Sequence, residues 1–124
     1  MAGSNPPFMN GVPELLVLQL LDHHEMYGYQ LVKSIRSATG ESISPGEGVV
    51  YPILHSLEKT GALKSRSKTV NGRTRVYYTV RPKGRRRLAE LVERWGRIKN
   101  GIDSALDHAI ALGNRDSSTG VNFV

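Results

Sequence analysis

Residues 63–80 read LKSRSKTVNGRTRVYYTV. In this stretch, two runs in which the type of side chain alternates from one residue to the next lie on either side of an Asn-Gly pair. Asn71 and Gly72 favour a two-residue turn, because both positions of that turn need a positive φ. The flanking alternation predicts strands over residues 63–70 and 73–80, joined as a hairpin. Side chains two apart share a face of a strand. On the first strand, one face therefore carries Lys64, Arg66 and Lys68. On the return strand, one face carries Val76, Tyr78 and Val80, and the opposite face carries Arg73, Arg75 and Tyr77.

Two helical patterns open the chain. The first begins near Pro13 and is apolar almost all round as far as Leu21, which predicts a helix at the centre of the core. The second follows Gly28 and ends at Gly40, since glycine suits the left-handed position that follows a helix.

A third helix is predicted from the sequence Ser44-Pro45-Gly46-Glu47, in which Ser44 is the expected N-cap and Glu47 completes a capping box. We expect this helix to end at Gly61. Three helices followed by a basic two-stranded hairpin are typical of a winged helix-turn-helix. The expected fold class is thus mostly α with a small β-hairpin (α+β), with this domain over residues 12–81 behind a flexible leader at residues 1–11.

The last pattern is a long helix over residues 82–112, with Pro82 at its first position and a flexible tail at residues 113–124. Its apolar side chains step by three and four residues, as in a heptad repeat. An apolar seam of this length favours burial against a partner surface, and a second copy of the chain is the simplest partner. The alternative is cover by the leucine-rich first helix, and we expect both. The predicted dimerisation residues are Leu88, Leu91, Trp95, Ile98, Ile102, Ala105 and Ala109, followed by Leu112.

Positive charge is concentrated in one part of the sequence. The 124-residue chain carries a net charge of +6, and residues 63–100 hold thirteen of its 17 Lys and Arg but only two of its 11 Asp and Glu. Such asymmetry indicates a polyanionic partner, nucleic acid before membrane, because no segment joins the basic run to a broad apolar face. A solvated basic surface is the alternative.

Several classes of protein are disfavoured by the composition. Without Cys there is no disulfide, thiolate zinc site or cysteine nucleophile. His23 and His24 are adjacent, and His55 and His108 are remote, so we expect no metal site. No catalytic triad, phosphate loop or carboxylate pair is apparent, so we expect neither enzymatic activity nor a cofactor. The absence of a signal peptide or a long apolar run predicts a soluble, cytoplasmic protein.

The third helix is the expected DNA reader, since the second helix of a helix-turn-helix enters the major groove. With Val50, Ile53, Leu54 and Leu57 turned inward, its polar side chains face outward and can bond to base edges or phosphates. The residues expected to contact DNA from this segment are Ser44, Gly48, Tyr51, Pro52, His55, Ser56 and Lys59.

The hairpin is the second expected contact with double-stranded DNA. Arg73 and Arg75 lie two residues apart beside the turn, which suits phosphate clamping or entry into the minor groove. Lys64 and Lys68 add charge along the first strand. Basic side chains on an exposed strand also prevent edge-to-edge aggregation, which is the alternative interpretation.

Trp95 is the only tryptophan and falls on the seam. In a two-fold dimer it could meet its symmetry mate and, with Leu91 and Ile98, form a slot for a planar aromatic effector. The alternative is an ordinary interface anchor.

Three stretches of this sequence resemble the PadR family of bacterial transcriptional regulators. They are Tyr27-Gly28-Tyr29-Gln30-Leu31, then Ser44-Pro45-Gly46 leading into Val50-Tyr51-Pro52-Ile53-Leu54-His55-Ser56-Leu57-Glu58, and Gly72-Arg73-Thr74-Arg75-Val76-Tyr77-Tyr78. The resemblance runs from about Leu15 to Trp95, and the long last helix is similar to that of the short subfamily.

The resemblance implies a homodimeric winged-helix repressor that binds an operator with two-fold symmetry and releases it on binding a small molecule. It implies DNA contact at Tyr51 and its neighbours and at Arg73 and Arg75. One departure is the sequence Val80-Arg81-Pro82, where the family usually has Leu-Thr before the last helix. The alternative function is a nonspecific nucleic-acid-binding module without ligand sensing.

Overall fold

The structure is a computed structural model that describes residues 10–116, with the backbone alone at residues 109–112 and 114–116. The elements are α1 (Val12–His23), β1 (Met26–Tyr27), α2 (Gly28–Ala38), α3 (Glu47–Lys59), β2 (Leu63–Val70), β3 (Arg73–Val80) and α4 (Pro82–Asp116). This arrangement confirms the predicted α+β winged-helix fold with a long C-terminal helix. Most of the predicted leader and tail lies outside the described residues.

The hairpin forms as predicted. Val70 pairs with Arg73 across a two-residue turn, in which Asn71 and Gly72 have φ values of 52° and 78°. A strand that the sequence did not reveal adds to it: β1 pairs antiparallel with β3, which gives the sheet the order β1-β3-β2. Two residues are too short for an alternating pattern to be visible.

The core lies between the helices and one face of this sheet. Val17 and Leu18 of α1 are fully buried at its centre, as the all-round apolar pattern predicted. The sheet contributes the inward-facing side chains of Met26, Leu63 and Tyr78. These residues share one face of the sheet, so the opposite face carries the basic side chains.

Glycines end α2 and α3 as predicted. After α3, Gly61 has a φ of 86°, its amide donates to the Glu58 carbonyl, and the Ala62 amide donates to the Leu57 carbonyl at 2.8 Å. Gly40, with a φ of 59°, closes α2 with the same pair of hydrogen bonds. Both are Schellman motifs, in which a left-handed residue lets the chain turn back and satisfy the last carbonyls.

The predicted start of α3 is wrong. This helix begins at Glu47 behind Gly46, and no side chain caps it. Gly46 is extended, with φ −81° and ψ −178°, so Ser44 lies outside the first turn in an exposed loop. The ring of Pro45 is buried. Burial of this ring, rather than a capping box, accompanies the entry into the helix.

Close packing marks the start of α4, where the sequence lacks a hydroxyl cap. Pro82 is its first residue, as predicted, and the Lys83 ammonium donates to the Thr60 carbonyl at 2.6 Å. An added Cβ on Gly84 would stand 2.3 Å from the Ala62 carbonyl oxygen. The lack of a side chain at Gly84 therefore allows the first turn of α4 to approach the end of α3.

The chain divides into two units within α4, at Leu91 and Val92. Leu88 and Leu91 of the predicted seam belong to the core of the first unit, which confirms that part of the seam is covered within the chain. In the second unit Trp95, Ile98, Ile102 and Ala105 are exposed, and the side chain of Ala109 lies outside the described residues. The helix continues to Asp116, four residues past its predicted end at 112.

Candidate nucleic-acid interface

An open cleft of about 490 Å³ lies where α3, the beginning of α2 and β3 meet. Aromatic rings and two guanidinium groups form most of its lining. The lining residues are Tyr27, Gly28, Tyr29, Tyr51, His55, Arg73, Arg75, Val76 and Tyr78. The structure therefore brings together four of the predicted DNA contacts (Tyr51, His55, Arg73 and Arg75), two from the predicted reading helix and two from the hairpin.

The two arginines of the hairpin have different surroundings. Arg73 is exposed at the turn. Arg75 is half-buried, and its guanidinium lies 4.3 Å from the centre of the Tyr27 ring, in cation–π contact. Tyr27 in turn packs edge-on against Tyr77, with ring centres 5.4 Å apart. The aromatic pair holds Arg75 in place, whereas Arg73 is exposed where β3 leaves the turn.

Tyr51 is half-buried, and its ring lies against the backbone of Gly28 at the start of α2. An added Cβ on Gly28 would stand 2.4 Å from Cε1 and 2.7 Å from the hydroxyl oxygen of Tyr51. The Tyr51 and His55 rings are 6.3 Å apart, which follows from their spacing of four residues on α3. Tyr51 therefore has a packing role as well as a place on the exposed side of this helix.

The remaining predicted contacts of α3 lie on its exposed surface. Gly48, Pro52, Ser56 and Lys59 are exposed at helical spacing, as the inward placement of Val50, Leu54 and Leu57 requires. Pro52 and Ser56 also line a second cleft of about 560 Å³ that includes Glu14 and Arg87. The helix passes through Pro52 without a break.

A carboxylate holds two cations of the hairpin. Glu25 accepts hydrogen bonds from Nε and Nη2 of Arg66, at 3.3 and 2.9 Å, and from the Lys68 ammonium. Hydrogen bonds from Arg66 and then Lys68 lower the pKa of Glu25 to about 2. The Lys68 ammonium also lies 4.3 Å from the centre of the Tyr77 ring. Lys64, in contrast, is exposed.

The basic residues that open α4 contact α1. Arg87 donates to both carboxylate oxygens of Glu14, at 2.8 and 3.1 Å, and the Glu14 hydrogen bond raises the pKa of Arg87. Arg85 donates to Asp22 at 3.2 Å. These arginines join α4 to α1, and their ion pairs offset the cost of positive charge at the N-terminal end of a helix dipole.

The family described as the Transcriptional regulator PadR-like family matches residues 17–90, more than half of the chain. The chain belongs to the PadR family of transcriptional regulators.

Relatives of this PadR regulator agree with that assignment. The protein named Transcriptional regulator Rv3488, from Mycobacterium tuberculosis, is 36% identical over 83 residues, which cover 67% of this chain and 75% of the relative. A solved transcriptional regulator from Clostridium thermocellum has a TM-score of 0.73 at 29% identity and covers 80% of this chain and 97% of its own. A PadR family regulator from Eggerthella lenta has a TM-score of 0.67 at 31% identity, and the match covers 80% of this chain and 85% of that regulator.

Sequence reasoning about this PadR regulator predicts no contact role for six residues of the site: Tyr27, Gly28, Tyr29, Val76 and Tyr78 in the cleft, and Glu25 in the ion pairs of the hairpin. The stretch Tyr27-Gly28-Tyr29 serves there only for the family resemblance and, at Gly28, for the start of the second helix. Glu25 precedes a strand of two residues and finds Arg66 and Lys68 more than forty positions away. No local pattern indicates such a contact. For the cleft, the glycine between two tyrosines in Tyr27-Gly28-Tyr29 does indicate a place where another group can approach the backbone closely.

Within residues 10–116, no helix combines the length and the apolar character that a membrane span requires. No three His, Asp or Glu side chains in this range are grouped so that they could hold a metal ion.

Proposed function

We propose that this PadR regulator is a homodimeric repressor that binds double-stranded DNA at an operator of two-fold symmetry and is released by a small-molecule effector. The observation that carries the proposal is the cleft in which Tyr51 and His55 of α3 face Arg73 and Arg75 of the hairpin. A duplex binder needs such a surface, because phosphate contacts supply affinity and base contacts supply specificity. We expect the protein to act in the cytoplasm.

The roles within the surface divide by chemistry. Arg73, Arg75 and Lys64 would contact phosphates, since they carry charge on or beside the hairpin. The exposed side of α3 would read bases in the major groove, where hydroxyl, imidazole and ammonium groups can distinguish base pairs. That reading set comprises Gly48, Tyr51, Pro52, His55, Ser56 and Lys59, with Ser44 in the exposed loop that precedes α3.

Exposed apolar side chains on α4 support the homodimer. Trp95, Ile98 and Ile102 are 42%, 48% and 53% exposed at heptad spacing, and Val92 and Leu106 beside them are also exposed. Large apolar side chains in such a row favour a partner surface. A two-fold dimer would present two α3 helices to successive major grooves, about 34–36 Å apart. Leu88 and Leu91 are buried in the core of the first unit, so the proposed interface leaves them out.

The proposed effector slot uses the same row. Trp95 offers a flat aromatic surface and Ile98 an apolar edge, and their symmetry mates would complete a slot for a planar aromatic compound. Leu91 is only 3% exposed and has no surface to offer a ligand. Titration with planar aromatic compounds should quench Trp95 fluorescence; unchanged fluorescence up to the solubility limit would remove the slot from the proposal.

Selection from a pool of random duplexes tests the function as a whole. We expect the recovered duplexes to share an inverted repeat whose half-sites are one helical turn apart. Recovery of duplexes with no shared sequence would favour a nonspecific nucleic-acid-binding module instead. A single half-site without symmetry would retain DNA reading but remove the dimeric arrangement.

A further inference from the structure

The cluster of Glu25, Arg66 and Lys68 is the feature that the proposed DNA contacts do not use. Glu25 lies between α1 and β1, and its carboxylate reaches across the outer face of the sheet to β2. Both Nε and Nη2 of Arg66 donate to it, in the fork geometry with which arginine also binds phosphate. The Lys68 ammonium donates to the same Glu25 oxygen as Nη2 of Arg66.

This arrangement resembles an occupied anion site. Two cations converge on one carboxylate, whose side chain is only 21% exposed. The Tyr77 ring holds the Lys68 ammonium from a second direction. A carboxylate in such surroundings keeps its charge at every pH at which DNA binding is measured, because its pKa lies at about 2.

The cluster also adjoins the proposed phosphate contacts. Lys68 is the cross-strand partner of Arg75, and Arg66 is the partner of Tyr77. Residues paired in this way share a face of the sheet, so Arg66, Lys68 and Arg75 form one basic surface. Of the five Lys and Arg on the hairpin strands, two therefore share the single negative charge of Glu25, while Arg73 and Lys64 are exposed.

We propose that Glu25 is an internal counter-ion that competes with DNA phosphates for Arg66 and Lys68, and thereby limits sequence-independent affinity. Each phosphate that a cation neutralises strengthens binding to every duplex equally. When Glu25 keeps these two cations from the phosphates, the affinity for every duplex falls. The preference for the operator over random DNA then depends on the base contacts of α3. This inference rests on the proposed function, since it assumes that the hairpin contacts DNA.

Glu25→Gln tests the inference directly. The variant keeps the shape of the side chain and removes its charge, so Arg66 and Lys68 become available to phosphates. For a random duplex, we expect the slope of log K against log salt to steepen by about 1 to 2 units, at about 0.9 per added phosphate. Glu41→Gln is the matched control, because it also removes one negative charge, from an exposed pair with Arg36. We expect its slope to equal that of the unaltered protein.

A second measurement does not depend on the folding of the Glu25 variant. With Glu25 in place, Arg66→Ala combined with Lys68→Ala should flatten the slope by no more than about one unit, because the single charge of Glu25 already offsets one of the two positive charges. A loss of about two units would overturn the inference, as would equal slopes for Glu25→Gln and Glu41→Gln in proteins that bind DNA. Failure of the unaltered protein to bind any duplex would instead remove the proposed function, and the inference with it.

Discussion

The ring of Tyr51 in α3 lies against the backbone of Gly28, the first residue of α2, so closely that no side chain fits between them. An added Cβ would stand 2.4 Å from Tyr51 Cε1, well inside any normal contact distance. The two helices of the helix-turn-helix thus meet through a glycine and a tyrosine, and the tyrosine also lines the cleft proposed to meet DNA. Tyr51 therefore combines a packing contact with a proposed contact to DNA.

Gly28→Ala should displace Tyr51 rather than unfold the protein, because the obstructing atoms belong to a side chain that can rotate. We expect a loss of about 1–3 kcal/mol in the free energy of unfolding, as for other overpacked sites, together with weaker operator binding. Gly96→Ala is the matched control, since a Cβ there meets nothing within 4 Å. Chemical denaturation measures both variants; equal stabilities would mean that the Gly28 contact is not tight in solution.

Tyr51→Phe and Tyr51→Ala distinguish the contribution of the Tyr51 hydroxyl from that of its ring. Phenylalanine keeps the ring against Gly28, so we expect unchanged stability and a loss confined to operator binding. Alanine also removes the packing of a half-buried ring, which should cost about 2 kcal/mol of stability, below the range for a fully buried aromatic. Denaturation and operator titration measure the two effects. Equal stability of all three proteins would show that the Tyr51 ring contributes no packing.

Arg73→Ala combined with Arg75→Ala should weaken binding to all duplexes and flatten the slope of log K against log salt by about two units. The reason is that each guanidinium is proposed to neutralise one phosphate. Arg36→Ala combined with Arg97→Ala removes the same charge from exposed pairs elsewhere and serves as the control. If both double variants give the same slope, the hairpin tip does not touch phosphate.

The ion pairs of Glu25 predict a pH dependence of stability. These ion pairs lower the pKa of Glu25 in the folded protein to about 2, below its ordinary value of 4.5. A lowered pKa in the folded state stabilises the protein above the ordinary value, and this stabilisation disappears as the pH falls from about 4.5 to about 2. We therefore expect the difference in Tm between the unaltered protein and Glu25→Gln to be constant above about pH 5.

Below that pH the same difference should shrink towards zero, as thermal unfolding followed by circular dichroism would show. Added salt at about 1 M screens the ion pairs and should narrow the difference at neutral pH as well. A Tm difference that does not change between pH 6 and pH 2 would contradict the assignment of Glu25 as an ionised partner of Arg66 and Lys68.

Ile98→Glu combined with Ile102→Glu should weaken self-association, because two charges would be buried in the proposed seam. Sedimentation at micromolar concentration measures this as a shift from dimer to monomer. Asn100→Glu is the control: Asn100 is exposed on the same helix, between the two seam positions but on the other side of the helix. A single sedimenting species of monomer mass in the unaltered protein would exclude the dimer altogether.

The elements of this fold were largely predictable because their signals are local. Asn71-Gly72 predicted the turn, alternation predicted β2 and β3, and Gly40 and Gly61 predicted the ends of two helices. Two local predictions had mixed outcomes. Ser44 does not cap α3, because the buried Pro45 and the extended Gly46 separate it from the first turn. The heptad pattern on α4 found its apolar side chains but could not show that Leu88 and Leu91 belong to the core.

The candidate site was predictable only in part. Sequence reasoning found Tyr51, His55, Arg73 and Arg75, each through its own element. It gave no reason for them to share a cleft with Tyr27 and Tyr29, and it treated Lys68 as an available cation. The pairing of β1 with β3 brings Glu25 and Tyr27 to the hairpin, and two residues of strand carry no periodic signal.

For this PadR regulator, the sequence alone determined the order of elements, the basic hairpin and the apolar row on α4, because dihedral preference and periodicity act between near neighbours. Only the tertiary structure decided which cations pair with Glu25, which leucines are buried, and which atoms a side chain at Gly28 or Gly84 would meet. Those properties depend on contacts between residues far apart in the chain, and the energy of a charge or an apolar group depends on what surrounds it in space.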